Sequence, residues 1–446
     1  MQTTIQTVSF KTLGCRLNQA ETDALEVRLR ERGYRVRKFG EPVDLTVINT
    51  CTVTGDADRD SRYAIRQAVK KSQGGRVVVT GCYAQMSPEA VRTIDGVDLV
   101  LGNHEKYRLI EFLDHVRDGK LKEPIAFLTH GRGGAIWSEE SLVSSGASAS
   151  RTRASLKIQD GCDYVCSFCI IPFARGRARS RPQEDVLKEA DAFIDRGFRE
   201  IVLTGVNIGT YYDRTSNARF ADLLDKLSTL KGQFRLRISS IEPNTVTTRV
   251  LRLMAEREKI CPHLHMPIQS GSDPILAVMR RKYRRARLER LANEFHKLMP
   301  EGALGTDVVV GFPGETDRDF RGTRRLVQDA AFSYLHVFPF SARAGTAASK
   351  LSASVPPEVV HDRASDLRTL SSDLWTSFAR RFEGHRMPVL FEDSKEDLCQ
   401  EGLTPNYLRV RVSTHKDLRG QVWPIRLGAL EDASPLMTGV LPEMND

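Results

Sequence analysis

Six of the eight cysteines in this chain fall into two groups of three: Cys15, Cys51, Cys82 and Cys162, Cys166, Cys169. The second group is compact, with Cys162-Asp-Tyr-Val-Cys166-Ser-Phe-Cys169 setting three thiolates four and three residues apart in one loop. Such a loop can wrap one cuboidal iron–sulfur cluster, each thiolate on a different iron, leaving the fourth iron open to a substrate or cofactor. A closed zinc site is the rival reading. It needs four ligands, and no His or further Cys lies close by in sequence to supply the fourth. The remaining pair, Cys261 and Cys399, stands alone and reads as ordinary small core residues.

The first group is scattered in sequence, so only the fold can gather it. Thr7 to Leu13 reads as a strand and Asn18 to Arg32 as a helix, with Leu25 and Leu29 on one face and Gly33 as its stop. Val43–Asn49, Arg76–Thr80 and Val97–Leu101 read as further strands, with a charged helix from about Asp56 to Lys71. Alternating strands and helices predict an open parallel sheet covered on both faces. Cys15, Cys51 and Cys82 each lie just past the carboxyl end of a strand, and those ends share one edge, where ligands bind. The bland alternative is three unrelated buried thiols.

From about Gly131 to Arg153 the composition turns to Gly, Ser and Ala, which reads as a linker between residues 1–130 and the rest. Strands then follow at Ser155–Gln159, Glu200–Val206, Arg235–Ser239, His263–Gln269, Leu304–Val310 and Leu335–Phe340. Helices fill the gaps, notably Gln183–Arg196, Ala221–Lys231, Arg284–Leu298 and Arg318–Ala330. Six such units predict a partial (β/α)6 TIM-like barrel over 154–382, with its active site at the strand carboxyl ends. A helix over Pro357–Arg381 leads to short β runs at Pro388–Glu392, Leu408–Val412, Gln421–Leu427 and Met437–Leu441, a small all-β barrel over 383–446.

The 446 residues are 40% hydrophobic and 28% charged, the profile of a globular protein of several domains. No basic n-region with an apolar h-region opens the chain and no long apolar run follows, so the expected address is the cytoplasm with no membrane contact. Lys and Arg exceed Asp and Glu by 66 to 57. Much of the excess sits in two runs, Arg175, Arg177, Arg179, Arg181 and Arg280 to Arg287. Either run could be a solvated face; together they suit a polyanionic partner.

The Cys162–Cys169 loop, with an aromatic before its last cysteine, resembles the signature of the radical S-adenosylmethionine (SAM) enzymes. The phrases TLGCRLNQAETDAL, VINTCTVTGDADRDSRYAIR, VVVTGCYAQ, HLHMPIQSGSD and GTDVVVGFPGET extend the resemblance to the methylthiotransferases over almost the whole chain. The wording around Cys15 and Cys51 is most similar to the MtaB-type subgroup, which modifies N6-threonylcarbamoyladenosine beside the tRNA anticodon. The resemblance implies two [4Fe–4S] clusters, one on each cysteine trio, with SAM on the open iron of the second. Reductive cleavage of SAM would give a 5′-deoxyadenosyl radical, and the first cluster would carry the sulfur that is methylated and transferred.

By the same resemblance, Phe168 lies beside the adenine of SAM, and Thr204, Gly205 and Asn207 form the methionine-binding turn. Ser239, Glu242 and Gln269 approach the cofactor, and Gly305 to Gly311 line its adenine side. Each of these also has a plain reading as a turn or capping residue. The terminal barrel is similar to the family's RNA-binding TRAM domain, and Arg175, Arg177, Arg179 and Arg181 would meet the tRNA anticodon stem-loop. An electron donor such as flavodoxin or ferredoxin is implied as a partner. The alternatives are a sister enzyme acting on isopentenyladenosine in tRNA or on a ribosomal-protein aspartate, and, from another class, a noncatalytic iron–sulfur carrier or RNA-binding protein.

Overall fold

The computed structural model describes residues 6–72, 74–113, 124–128, 151–392, 398–431 and 435–442. Most of the expected linker over 131–153 lies outside them. The amino-terminal sheet has six parallel strands in the order β2-β1-β3-β4-β5-β6: β1 Thr7–Thr12, β2 Arg35–Arg37, β3 Leu45–Thr50, β4 Arg76–Gly81, β5 Leu99–Leu101 and β6 Ile125–Phe127. Val8, Leu45, Val47 and Val77 to Val79 are fully buried, as strands covered on both faces require. The edge strands β2 and β6 escape the sequence pattern because each is only three residues long.

Register explains how the thiols meet. Thr12 pairs with Asn49, and Thr50 with Gly81, so β1, β3 and β4 end level with one another. Helix α1 (Arg16–Glu31) starts directly after Cys15, and α3 begins at Cys82 itself (Cys82–Met86). Between them α2 (Gly55–Lys71) is capped by Thr54 Oγ1, which accepts from the Ala57 N–H at 3.1 Å, with Asp56 and Asp58 complementing the helix dipole.

Six parallel strands form the central partial barrel: Ala154–Lys157, Glu200–Thr204, Arg235–Ile238, His263–His265, Ala303–Val310 and Tyr334–Pro339. They make two three-stranded sheets joined where the Cys261 N–H donates to the Leu236 carbonyl at 2.8 Å. The strand expected over His263–Gln269 stops at His265. Pro267 removes a ladder donor, and Gln269 takes a left-handed φ of +64°. Leu304, Val308, Val310 and Leu335 face the outer helices and are buried with them. Gly305, Asp307, Tyr334 and His336, on the alternate face, point into the lumen.

The amino-terminal body closes the side of this barrel. Helix α1 packs along the first barrel strand. At the other edge, the Gly55 N–H donates to Ser341 Oγ at 2.9 Å, and Arg343 Nη2 reaches Thr52 Oγ1 at 2.7 Å and Asp58 Oδ2 at 2.5 Å.

The carboxyl-terminal strands Arg386–Phe391, Cys399–Leu403, Arg409–Ser413, Val422–Leu430 and Leu436–Val440 form a closed five-stranded barrel. The sequence pattern misses Cys399–Leu403, whose CQEGL has no apolar alternation, and Cys399 is only half-buried there. Cys261 is a core residue as expected. Among the described residues no helix is long and apolar enough to cross a membrane.

Candidate active site

Gly14 takes a φ of +87°, and a Cβ there would lie 2.6 Å from both Cβ and Sγ of Cys51. The turn before Cys15 thus rests directly on the second thiol. Cys51 is held by Ser61, whose Oγ accepts from its N–H at 3.2 Å and donates to its carbonyl at 2.9 Å. Cys82 Sγ accepts from Asn103 Nδ2 at 3.7 Å, and the same amide reaches the Ala174 carbonyl at 2.7 Å, in the segment after the Cys162–Cys169 loop. Burial pushes the Cys51 thiol up to about 11, and Cys82 and Cys15 push the same way.

The second trio is folded as tightly. The Cys162 N–H donates to the Gly176 carbonyl at 3.1 Å, and the Cys169 N–H to the Cys166 carbonyl at 3.1 Å. Gly161 has a φ of +70°, and a Cβ there would sit 2.0 Å from the Arg177 carbonyl oxygen. Burial pushes the Cys169 thiol up to about 12, and Cys166 and Cys162 add to it. Thiols so placed stay protonated until a metal centre deprotonates them. Among the described residues, neither trio meets the 4.8 Å mutual spacing at which one ion would be shared. Three thiolates on three separate irons suit that wider spacing, and the donor sets fit a cluster better than a single zinc.

Between the two trios lies a buried charge network. Arg175 Nη1 reaches Glu21 Oε1 at 2.8 Å and Asp160 Oδ1 at 3.0 Å, and Nη2 reaches Asn18 Oδ1 at 2.6 Å. Lys106 Nζ meets Glu21 at 2.6 Å, and Lys157 Nζ meets Glu21 at 2.9 Å and Asp160 at 2.8 Å. Burial alone would raise the Glu21 carboxyl, but Arg175, Lys106 and Lys157 hold it well below its ordinary value. With Arg179 at 3.4 Å from Asp160, four cations face two carboxylates, leaving two positive charges in excess beside the amino-terminal thiols. The network also joins α1 to the barrel.

This overturns the expectation for two of the four arginines. Arg175 is 1% exposed and Arg181, paired with Glu189, is 2% exposed, so neither can reach an RNA. Arg179 is largely covered by Asp160 and the Arg175 carbonyl. Arg177, 3.1 Å from Asp163, is the one exposed member. In the second basic run, Arg281 lies 3.2 Å from Cys166 Sγ and pairs with Glu242, whereas Arg280, Lys282 and Arg284 are exposed.

The residues expected around SAM divide. Asn207 is 3% exposed with its amide against the Cys162 thiol, and its Oδ1 has no hydrogen-bond partner. Such an orphaned amide oxygen fits a polar ligand at this spot. Glu242 acts electrostatically on Cys162 and, through Arg281, sits close to Cys166. Thr204 and Gly205 serve the turn: a Cβ on Gly205 would meet the Gln159 carbonyl at 2.8 Å, and Gln159 Oε1 accepts from the Val206 and Asn207 N–H groups. Phe168 packs edge-on to Phe312 at 6.3 Å. Ser239 is half-buried at a strand end, and Gln269 is half-buried in the segment that follows the strand ending at His265. Gly305 is not free to line an adenine, because a Cβ there would lie 2.1 Å from the Tyr334 ring; at Gly311 it would meet Val360. A cavity of about 590 Å³ opens beside Cys166 and Cys169, lined also by Phe173, Arg280, Thr346 and Lys350.

The barrel floor is a feature the sequence did not announce. Tyr407, from the terminal barrel, stacks on His263 at 4.1 Å, lies under Arg237 at 5.1 Å and accepts from Arg16 Nη2 at 3.2 Å. Arg16 follows Cys15 directly, so all three bodies meet here. Above this floor, His265, Asp307 and His336 converge. Their only sequence signal is polar residues inside apolar strands (HLH, GTDVVV, YLHVF).

A model of the radical SAM superfamily matches residues 156–327, and one described as uncharacterized protein family UPF0004 matches 7–102. The threonylcarbamoyladenosine tRNA methylthiotransferase MtaB of Bacillus subtilis is 39% identical over 426 residues, spanning 94% of this chain and 93% of its own. The Aquifex aeolicus enzyme of that name is 35% identical over 414 residues, spanning 92% and 98%. A tRNA-2-methylthio-N(6)-dimethylallyladenosine synthase of Clostridium tetani is 30% identical over 433 residues, spanning 94% and 93%. Among solved structures, the radical S-adenosylmethionine methyltransferase TsrM of Kitasatospora setae, with cobalamin and a [4Fe–4S] cluster bound, superposes with a TM-score of 0.57. It shares 16% identity and covers 88% of this chain and 78% of its own, a likeness of fold alone.

Proposed function

Because the chain belongs to the MtaB family of tRNA methylthiotransferases within the radical SAM superfamily, we propose that it attaches a methylthio group to C2 of N6-threonylcarbamoyladenosine beside the tRNA anticodon. The observation that carries the reading is the placement of two cysteine trios at strand carboxyl ends, facing one another across the Arg175 network.

In this reading Cys162, Cys166 and Cys169 hold one [4Fe–4S] cluster, and Cys15, Cys51 and Cys82 hold a second. When bound, the clusters and SAM supply the radical, the sulfur and the methyl group, which side-chain acid–base chemistry cannot. The chain's own residues bind and orient. Asn207 and Glu242 hold the polar end of SAM, with Phe168, Thr204, Gly205, Ser239 and Gln269 around them. The Arg175 network sets the distance and charge between the two sites, and the docked amino-terminal body keeps water from the side of the barrel.

Arg177, Arg280, Lys282 and Arg284 supply phosphate contacts for the tRNA, and the terminal barrel serves as an RNA-binding TRAM-like module. An acidic one-electron carrier of the flavodoxin or ferredoxin class docks beside the radical loop, where Arg280 and Lys350 flank Cys166 and Cys169. The protein acts in the cytoplasm. The test is to incubate the anaerobically reconstituted, reduced enzyme with tRNAs bearing threonylcarbamoyladenosine or isopentenyladenosine and to follow each nucleoside by mass. Gain on the threonylcarbamoyl nucleoside alone is expected; gain only on the other would reassign the substrate.

A further inference from the structure

We propose that His265, Asp307 and His336 form a site for one divalent first-row metal ion, open to the barrel lumen. The three ligating atoms lie within 4.8 Å of one another, and no other set of three His, Cys, Asp or Glu side chains among the described residues comes so close. They come from three neighbouring strands, with Asp307 paired in register to His336 and His265 to Gly305. All three occupy the lumen face.

The geometry brings two imidazole nitrogens onto one carboxylate oxygen, with His336 Nδ1 in hydrogen-bond contact with it. His265 Nε2 and His336 Nδ1 approach the same carboxylate oxygen, Asp307 Oδ1, at 3.1 and 3.2 Å. Donor atoms at cis positions of an octahedral ion, bound at about 2.1–2.2 Å, stand roughly 3.0 Å apart. His265 is 7% exposed, and its Nε2, 3.1 Å from Asp307 Oδ1, has no partner in well-aligned hydrogen-bond geometry. A buried ring nitrogen in that state needs another partner.

The second ring nitrogen is already engaged: His265 Nδ1 lies 2.7 Å from Ser240 Oγ. A polar group on the far nitrogen is how ligating imidazoles have their tautomer fixed. With Nδ1–H donating to Ser240, Nε2 carries a lone pair into the shared space. The His336 side chain is 57% exposed, so one flank of the site is open to incoming ligands. Two imidazoles and one carboxylate with open positions suit iron(II), manganese(II) or zinc(II).

The identity of the completing ligand rests on the function proposed above. The threonyl carboxylate and hydroxyl of an N6-threonylcarbamoyl group are oxygen donors that could chelate such an ion, whereas a dimethylallyl group offers none.

The experiment uses the enzyme with both clusters assembled, so that the thiols are occupied, titrated anaerobically with Mn2+ and followed by loss of the free-ion EPR signal. One saturable ion per chain is expected. His336→Ala, at an exposed position, and Asp307→Asn should abolish it, and Ser240→Ala should weaken it by about 10- to 100-fold. No saturable Mn2+ binding in the wild type, or binding unchanged in both ligand variants, would overturn the site. Adding threonylcarbamoyladenosine nucleoside to the Mn2+-loaded enzyme should broaden or shift the bound signal. A signal indifferent to it would overturn the chelation while leaving the site standing. Methylthio transfer on the same preparation reports on the proposed function separately.

Discussion

Replacing Arg175 by methionine separates a structural role from an RNA contact. The guanidinium is 1% exposed and makes four polar contacts, to Glu21 twice, Asp160 and Asn18. Its removal leaves two carboxylates, but Glu21 keeps Lys106 at 2.6 Å and Lys157 at 2.9 Å, and Asp160 keeps Lys157 at 2.8 Å. Breaking a buried pair costs about 3–5 kcal/mol, and the surviving partners place this case at the lower end, about 3 kcal/mol. A cooperative unit of a few hundred residues would lose roughly 6–10 °C of melting temperature. Arg177→Ala is the control: its pair with Asp163 is 66% and 47% exposed, so its loss should change stability by no more than about 0.5 kcal/mol. Differential scanning of the cluster-loaded variants reads stability, and tRNA binding against salt concentration reads phosphate contacts. The slope of log affinity on log salt should be unchanged in Arg175→Met and shallower by roughly 0.7–0.9 in Arg177→Ala. A stable Arg175→Met with a shallower salt slope would refute the buried-network account.

Gly14→Ala places a methyl group 2.6 Å from Cys51 Sγ at a left-handed φ, forcing a displacement of about 1 Å where metal sites tolerate about 0.2 Å. Iron content after reconstitution should fall by about half, with SAM cleavage retained; undiminished iron would show the turn to be pliable. Burial, with Arg237, His265 and Arg16 acting the same way, holds His263 well below its ordinary pKa, so it is neutral when folded. The unfolded chain therefore binds the extra proton, and stability falls as pH drops below about 6.5, by roughly 1.4 kcal/mol at pH 5.5. Denaturant midpoints across pH 5.5–7.5 should show at least that slope, because burial also lowers His104 and His296, and the slope should shrink by that amount in His263→Gln. Tyr407→Phe keeps the ring stack but removes the bond from Arg16 and should cost about 1 kcal/mol, whereas Tyr407→Ala should cost several times more in the same assay.

The thiol trios were legible because cysteine is rare and strand-end placement is a topological fact. Apolar runs such as RVVVT and LVL locate the parallel strands, whose edge then gathers residues far apart in sequence. The basic run at Arg175–Arg181 was misread because sequence shows charge and not burial. Two of the partners of Arg175, Glu21 and Asn18, come from a different body and leave no local trace. Tyr407 was invisible for a similar reason: a lone tyrosine in a turn gains its meaning only when the terminal barrel docks on the barrel floor. His265, Asp307 and His336 sat inside strands whose outward faces were apolar, and a pattern based on periodicity passes over such inward polar positions.

The most direct test of the account is to change Cys15, Cys51 and Cys82 together to alanine and assay the reconstituted protein with reductant, SAM and threonylcarbamoyladenosine-bearing tRNA. Iron should fall from about eight to about four per chain, the content of two and one cubane clusters. 5′-Deoxyadenosine should still form, and no methylthio nucleoside should appear. Methylthio product from the triple variant, or iron unchanged by the substitutions, would contradict the assignment of the sulfur-carrying site to the amino-terminal trio.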